Sequence, residues 1–427
     1  MFVNKGLIHL VLNSICSKQA FRIVVIAWVC LNAFSLKAQK SSRKEIHLHD
    51  SIDIRKYPID IIDVVNKLRG KDIHSRLYSP DKKLNKAHVS AAPAVGYALA
   101  NGFAAALSAN LAFYAYDTSN QKISNFSTSI TYTQKQQVIL PLTINYWSKG
   151  NKYNFVSEWR YMKYPSPNFQ LSSNSDASSY TINFSYLKFH QSILKTIAPN
   201  LYGGIGYHFD CFWNIQELEL PPQSTTGFQA YGFSTKETSS GLAIKLLYDS
   251  RLNQINANNG MYANIEFRPN FTFMGSDNNW QSLLLDVRKY IKLTHNSRNI
   301  LAFWSYNLIT VSGMTPYLLL PSTGWDDGGY NTGRGYVQGR FRGRNMLYLE
   351  AEYRFQITNN GLIGGVMFVN TQALTTNTNN VFNTVAPGWG AGLRVKFNKF
   401  SRTNISIDYG FGLNGSRGIF VNLGEVF

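Results

Sequence analysis

The sequence contains little charge, little cysteine and, after its first 40 residues, no long apolar run. Charged residues make up 15% of the 427 positions, and there are three cysteines. A membrane-spanning helix needs about 20 consecutive apolar residues, so any membrane crossing beyond residue 40 must be made by strands. Gly-x-Ser-x-Gly, His-Glu-x-x-His and clustered cysteine/histidine motifs are also missing. We therefore expect no enzymatic activity, no metal site and no cofactor.

What the sequence does contain is typical of a membrane barrel. Aromatic residues reach 14%, while the mean hydropathy is only slightly negative at -0.19. A lumen lined by Asn, Ser, Thr and Gly, together with a lipid-facing apolar half, produces such an average. The formal net charge of +18 is spread along the chain and is not clustered as in a nucleic-acid reader. We expect contact with outer-membrane lipid and lipopolysaccharide and no nucleic-acid partner.

The N-terminal region has the features of an export signal. Basic residues precede the apolar stretch 23–34, and Ala38 supplies a small residue just before the expected cleavage point. An uncleaved anchor helix is the alternative interpretation. Residues 1–38 are accordingly predicted to be a signal peptide.

The next segment, residues 39–88, differs in character from everything after it. It is polar and charged, and only 59–68 has the apolar spacing of a short amphipathic helix. We predict a periplasmic polar segment here. The outer-membrane barrel is predicted to occupy residues 89–427.

Alternation of apolar and polar residues predicts the strands of this barrel. Its clearest case is 346–357, where Leu347 and Leu349 share one face while Glu350 and Glu352 share the other. Period-two alternation of this length indicates a strand with one face in lipid and one in the lumen. Sixteen such candidates follow residue 90, at 91–99, 102–116, 124–134, 137–147, 152–163, 178–189, 199–213, 238–249, 260–269, 280–291, 298–311, 346–357, 361–371, 387–397, 403–413 and 417–427. An even number of antiparallel strands, each about 9–11 residues or more, is the bacterial barrel pattern.

A long glycine-rich loop separates the eleventh candidate from the twelfth and contains Gly333, Arg334, Gly335 and Tyr336. An Arg-Gly-Tyr in this position resembles the signature loop of the BamA/TamA superfamily of outer-membrane barrels, the bacterial surface antigen family. The resemblance implies an all-β transmembrane antiparallel barrel in the cell outer membrane. It also implies that this loop folds back into the lumen.

A guanidinium in a lumen requires carboxylate partners. Glu350 and Glu352 lie on the polar face of the strand that follows the loop, so we expect one of them to pair with Arg334. The family often has an aspartate on the next strand, where this chain has Asn370. The substitution predicts a weaker local charge complement. Two roles remain open for the pair of Arg334 with Glu350 or Glu352. It fixes the loop so that the loop plugs the pore, or it takes part in handling a substrate.

Three further motifs resemble the family. Asp249, Arg251 and Gly260 resemble its Asp-x-Arg…Gly-Tyr hairpin, although a plain tight turn explains the Asn-Gly pair equally well. Pro93 and Gly96 resemble the first hairpin of short members from Bacteroidota. In the last predicted strand, Leu423 and the terminal aromatic Phe427 resemble the signal by which barrels are recognised for insertion. That signal indicates location and not activity.

Function remains open between three hypotheses. The resemblance favours insertion or export of polypeptides at the seam between the first and last strands, because a proline and a glycine weaken the first strand's ladder. The alternatives are a passive pore for a small solute and a structural surface barrel. The relatives that assemble membrane proteins carry periplasmic POTRA domains, for which residues 39–88 are too short. We therefore expect periplasmic chaperones or assembly subunits as partners, with unfolded polypeptides as clients.

Overall fold

The computed structural model describes residues 58–71, 87–98, 102–116, 121–169, 179–220, 225–232, 234–293, 298–324, 332–375 and 381–427. The predicted signal peptide lies outside these residues, as does most of the segment that follows it. Helices among the described residues are all short, and none has the length and apolar character required to span a bilayer.

The described residues build one antiparallel sheet. Its strands are β1 His88–Ala98, β2 Gly102–Phe113, β3 Ser124–Thr133, β4 Val138–Trp147, β5 Tyr153–Lys163, β6 Ser166–Asn168, β7 Tyr180–Ala198, β8 Leu201–Leu218, β9 Lys236–Asp249, β10 Gly260–Asn270, β11 Trp280–Lys292, β12 Ile300–Gly313, β13 Asn345–Gln356, β14 Ile363–Thr375, β15 Phe382–Asn398, β16 Thr403–Phe411 and β17 Arg417–Leu423. Each full strand pairs with the next in the chain, and the three-residue β6 pairs beside β5 on β7. Cα atoms of β1 and β17 approach within 8 Å, which brings the two ends of the sheet together.

Apart from β6, the described residues form the predicted number of sixteen strands, eleven before the long loop and five after it. We call the end of the barrel at which β1 begins the lower rim, and the opposite end the upper rim. The long loop leaves from the upper rim between β12 and β13. The prediction of an all-β antiparallel barrel with this loop placement is confirmed.

The two faces of the sheet are chemically inverted relative to a soluble protein. On β13, Leu349 is 55% exposed, whereas Glu350 and Glu352 are 4% and 1% exposed. The same pattern holds on β14, where Met367 and Val369 are exposed beside buried Asn370. An apolar outer face suits lipid, and the polar side chains must find their partners inside the lumen.

Several strand boundaries differ from the predicted ones, most clearly those of β17, β7 and β8. The last strand ends at Leu423 and not at residue 427, because Gly424 adopts a φ of +127° and turns the chain out of the sheet. β7 and β8 are also longer than predicted, at 19 and 18 residues. Beyond β8 the chain forms a short helix, which we call α2 (Gly227–Gly232).

The predicted amphipathic helix is present as α1 (Ile61–Leu68) at the lower rim. Asp60 and Asp63 close a capping box, each side chain accepting a hydrogen bond from the other residue's main-chain N–H. Lys399, in the turn between β15 and β16, donates to both carboxylates, from its N–H to Asp60 and from Nζ to Asp63. The acidic side of the helix therefore faces the barrel, and Leu68 is 82% exposed.

Candidate functional site in the lumen

The loop between β12 and β13 returns into the barrel as an irregular hairpin. Its two arms are joined by main-chain hydrogen bonds, from Thr323 N to Phe341 O at 2.9 Å and from Gly343 N to Pro321 O at 3.1 Å. The Thr323 side chain also donates to Gln372 on β14 at 2.9 Å. The hairpin is thus fixed to the barrel wall.

Two glycines allow residues 332–336 of this hairpin, which we call its tip, to press against the barrel wall. Gly333 and Gly335 have φ values of +73° and +112°, a region that residues with a Cβ rarely adopt. There is also no space for a side chain on the two strands that the tip contacts, β15 and β16. A Cβ at Gly410 of β16 would lie 2.7 Å from the main-chain nitrogen of Gly335, and one at Gly388 of β15 would lie 2.7 Å from Arg334 O. Glycine on both sides permits backbone-to-backbone contact.

Arg334, at this tip, is 1% exposed and is surrounded by three carboxylates. Its Nη2 donates to both Glu350 and Glu352 of β13, and its Nη1 donates to Asp408 of β16 at 2.5 Å. The face of the guanidinium lies over the ring of Phe368, with Cζ 3.7 Å from the ring centroid. A guanidinium is planar, so it can bind carboxylates with its edge and stack on an aromatic ring with its face. Lysine cannot make both sets of contacts in the same way.

The neighbours of Arg334 hold its backbone. Asn370 donates its side-chain N–H to Arg334 O at 3.0 Å. The Tyr336 hydroxyl donates to Pro387 O and accepts from Leu413 N at 3.0 Å, which fixes the tip to β15 and to the turn after β16. Asn370 therefore stabilises the backbone of the loop through its side-chain amide. The carboxylate that β14 lacks is replaced by Asp408 of β16, which binds Nη1 of Arg334 while Glu350 and Glu352 bind Nη2.

The cluster around Arg334 continues through shared carboxylates. Glu352 also accepts from Arg354 Nε at 2.6 Å, and Asp408 also accepts from Arg394 Nη1 at 2.5 Å. Arg394 Nε then donates to Glu425, beyond the last strand, at 2.7 Å. We call these residues the lumenal ion network: Arg334, Glu350, Glu352, Arg354, Arg394, Asp408 and Glu425. Three guanidiniums are matched with four carboxylates, all of them buried.

The second motif lies at the lower rim. Asp249 accepts from Arg251 three times, from N and Nε at 3.0 Å and from Nη2 at 3.2 Å, and Arg251 Cζ lies 4.4 Å above the Tyr262 ring. Lys122 donates to Asp249 O and lies over the Trp147 ring. Burial lowers the pKa of Lys122 to about 8, an effect that the nearby Asp249 partly offsets.

This motif is part of an ordered loop and not only a tight turn. Gly260, with a φ of +104°, begins β10 next to Ser250. Asn253 donates to Ser401 O at 3.2 Å, and Asn256 donates to Arg402 O at 3.3 Å, which ties the loop 250–259 to the turn between β15 and β16.

The predicted seam residues are only partly brought together. Pro93 and Gly96 pair with Leu107 and Ala104 of β2, and Leu423 pairs with Ile405 of β16. Phe427 lies elsewhere, because the chain leaves the sheet after Leu423. The Phe427 ring is 6% exposed in the lumen and stacks on Trp304 with ring centroids 5.2 Å apart. The prediction that Phe427 ends an alternating strand is therefore wrong.

Several site residues were not identified from the sequence. Asp408, Arg354, Phe368 and Glu425 have no feature that sets them apart from other alternating residues. For the three charged residues among them, the only signal was that a charge on a lumenal face needs an opposite charge. That signal predicts a partner without saying which one.

The comparison with protein families identifies the domain that contains the barrel. Residues 97–422 match the model described as the Omp85 superfamily domain.

The chain belongs to the Omp85 superfamily.

Membership confirms the resemblance of the Arg-Gly-Tyr loop to the BamA/TamA type and the outer-membrane location. Omp85 proteins are barrels for assembly or translocation that work with lipid and with partner or client polypeptides, and they are not enzymes.

Solved structures similar to this Omp85 barrel are distant in sequence. CdiB from Escherichia coli is 9% identical with a TM-score of 0.52, over 78% of this chain and 61% of that one. CdiB from Acinetobacter baumannii is 12% identical with a TM-score of 0.50, over 79% and 60%. BamA from Haemophilus ducreyi lacking POTRA domains 1–3 is 15% identical with a TM-score of 0.49, over 79% and 69%. The chain thus spans about three fifths of the length of the two CdiB structures. No curated protein matches.

Proposed function

We propose that this Omp85 barrel aids the insertion or export of polypeptides at the seam between β1 and β17. The observation that carries the proposal is the pairing at that seam. Consecutive strands are joined by ladders, whereas between β1 and β17 the described residues show close Cα approach and no ladder. Each unpaired backbone group in a bilayer costs several kcal/mol. The barrel therefore opens at the seam at lower cost than anywhere else.

The strands on both sides of the seam are suited to separation. β17 has seven residues, fewer than any other full strand of the described chain. Pro93 of β1 has no N–H to offer to a ladder, and the β1–β2 hairpin is rich in alanine. Because β17 is short and the side chains of β1 are small, few contacts are broken when β1 and β17 separate, and the free-energy cost of separation is low.

A parted seam presents two strand edges to the bilayer. An extended client segment can add to such an edge through main-chain hydrogen bonds, so that sequence-tolerant binding results. Among the described residues, the Arg334 hairpin crosses the lumen, since it contacts β13 and β16 through Arg334 and the residues after β5 through the hydrogen bond from Tyr164 to Gln338. This arrangement favours the seam over a passive pore as the working element.

Client delivery by separate periplasmic chaperones or assembly subunits is part of the proposal. The described residues before β1 form a single short helix, α1, which is too small to capture a client. We propose in addition that residues 1–38 are the export signal and that residues 39–88 lie in the periplasm.

The proposal is tested by locking the seam with a disulfide. In a Cys211→Ser background, Val89→Cys on β1 is combined in turn with Ile419→Cys, Val421→Cys and Leu423→Cys on β17. Several pairs are needed because no ladder fixes the register, and a disulfide requires Cα atoms within about 7 Å. The barrel is reconstituted in liposomes. Its activity is measured as the assembly rate of an unfolded barrel client in the presence of periplasmic extract, before and after reduction.

The matched control is Val89→Cys with Leu111→Cys, because these residues are paired in the β1–β2 ladder. That disulfide should form readily and leave activity unchanged. Locking β1 to β17 should abolish client assembly, and reduction should restore it. Undiminished activity with a fully locked seam would refute the proposal. Solute flux through the liposomes that survives the lock would then identify a pore.

A further inference from the structure

The four residues after β17 enter the lumen and bind there. Gly424 continues the ladder by one hydrogen bond, from its N–H to Asn404 O at 2.8 Å, and then turns inward. Val426 and Phe427 are 4% and 6% exposed, and the Glu425 side chain is 3% exposed. We call residues 424–427 the tail. It is an ordered and buried segment that belongs to no strand.

The acidic residue of the tail is received by cations and amides. Glu425 accepts from Arg394 Nε at 2.7 Å and lies 4.0 Å from Arg354 Nε. Its other oxygen accepts from Asn404 and, at 3.4 Å, from Asn256. The donors come from two strands and from the loop 250–259, so the carboxylate is bound on several sides.

The aromatic residue of the tail occupies a second subsite. The Phe427 ring stacks on Trp304, at an interplanar angle of 29°, and lies 6.2 Å from the Tyr290 ring. Arg354 Cζ lies 5.1 Å above the Phe427 ring, and Arg354 Nη2 donates to Phe427 O at 2.9 Å. Arg354 thus contacts the aromatic face and the backbone of the same residue.

These contacts have the character of peptide recognition. We propose that the lumen contains a binding site for a peptide segment of the pattern acidic–any–aromatic, and that residues 425–427 occupy this site in cis. Recognition rests on Arg394 and Asn404 for the acidic residue and on Trp304, Tyr290 and Arg354 for the aromatic one. The middle residue, Val426, belongs to the same buried apolar cluster as Trp304, Tyr290 and Phe427.

Occupancy of this site has a consequence for the seam. The tail is continuous with β17, so a bound tail holds the lower end of the last strand inside the barrel wall. The tail is also joined to the Arg334 hairpin through Arg394 and Asp408. The tail is therefore a latch on β17, and a client segment of the same pattern would compete for its site. The peptide site stands independently of the seam mechanism, whereas the role as latch rests on the proposed function.

The first experiment removes the tail and supplies it in trans. A chain ending at Gly424 is folded in detergent and mixed with the fluorescently labelled peptide Gly-Glu-Val-Phe. We expect saturable binding by the shortened barrel and at least tenfold weaker binding by the full chain, whose site is filled. Replacing Glu by Gln or Phe by Ala in the peptide should each weaken binding at least tenfold. Equal binding to both barrels, or none to the folded shortened barrel, would overturn the proposal.

The second experiment needs no truncation and covers the case in which the shortened chain does not fold. In a Cys211→Ser background, Val426→Cys is labelled with a water-soluble maleimide in the folded full chain. Labelling should be slow, and Trp304→Ala or Arg354→Gln should accelerate it at least tenfold. The matched control is Trp280→Ala, because Trp280 is also a buried lumenal tryptophan but lies near Arg268 and Ser239. Fast labelling in every variant would show that the tail is not bound.

The two proposals fail in different ways. A disulfide-locked seam that still assembles clients removes the seam mechanism, and peptide binding by the shortened barrel would be unaffected by that result. Conversely, slow labelling of Val426→Cys combined with lock-sensitive activity supports both.

Discussion

Arg334 and Asp408 are separated by 74 positions in the sequence, and their side chains meet at 2.5 Å in the lumen. One belongs to the hairpin that descends from the upper rim, the other to the strand next to the last. Asp408 is bound by Arg394 as well, so a single carboxylate joins the hairpin to the part of the barrel that carries the seam. The contact links the hairpin to the wall strands that close the barrel.

Removing the Arg334 guanidinium should loosen the hairpin. Arg334→Ala leaves three buried carboxylates without their common cation, at a cost of about 3–5 kcal/mol in the free energy of unfolding. The free energy of unfolding of Arg334→Lys should lie between those of wild type and Arg334→Ala, because one ammonium cannot span all three carboxylates. The measurements are urea unfolding and the rate of proteolysis within 321–343. Arg417→Ala, at an exposed arginine, is the control, and a hairpin as protected in Arg334→Ala as in wild type would show that another contact is the anchor.

Asp408 should couple energetically to Arg334. Asp408→Asn removes the charge that Arg334 and Arg394 share, and each single change should destabilise the barrel. Because the two residues are in direct contact, the double change should cost less than the sum of the single changes, by about 0.5–3 kcal/mol. A double-mutant cycle in urea measures this difference. Strict additivity would contradict the direct ion pair.

Glycine at position 410 should be required for the hairpin to dock. Gly410→Ala places a Cβ within 2.7 Å of Gly335 N, which the wall can accommodate only if the hairpin moves. We expect a loss of about 1–3 kcal/mol, as in an overpacked core, together with faster proteolysis of the hairpin. Gly418→Ala is the matched control, since Gly418 pairs with Gly410 in the same rung and a Cβ there meets only the Phe420 side chain, at 3.5 Å. Equal effects of the two changes would contradict the close approach.

Stability at the lower rim should depend on pH through Lys122, which lies in a turn outside the strands. Its pKa is lowered from 10.5 to about 8, chiefly by burial. Between these values the unfolded chain binds a proton that the folded chain does not, so the free energy of unfolding should rise with pH, by up to about 3 kcal/mol. Below pH 8 the lysine is charged in both the folded and the unfolded chain, so this contribution to the free energy of unfolding no longer changes with pH. Urea unfolding at pH 7 to 10.5 measures it.

Lys122→Met should abolish this rise and make the barrel more stable than wild type at pH 7. Lys149→Met, at an exposed lysine in the neighbouring turn, should leave the rise unchanged. An unaltered pH dependence in Lys122→Met would show that another group is responsible.

Alternation in the sequence was sufficient to predict the strands, because a residue's face in a barrel depends only on its parity. It also predicted Glu350 and Glu352 as partners of Arg334, since both lie close by in sequence on the lumenal face. It did not predict Asp408, because parity gives the face of a residue but not the height at which strands three apart in the wall, such as β13 and β16, lie beside each other under the loop. The end of β17 was missed for a local reason. Ile419, Val421 and Leu423 set a period of two that Phe427 continues in the sequence, and the φ of Gly424 breaks it.

The position of the Arg334 hairpin imposes an order on assembly. Its carboxylate partners come from β13 and β16, and the tail that shares their network follows β17. Because the network joins the hairpin to β13 and β16, and through Arg394 to the tail, these contacts are complete only when the last strands are in place. We therefore expect the hairpin to become fully fixed only when β16 and the tail dock. Formation of the lumenal ion network should therefore be a late step in folding, and it requires that the hairpin is correctly placed in the lumen.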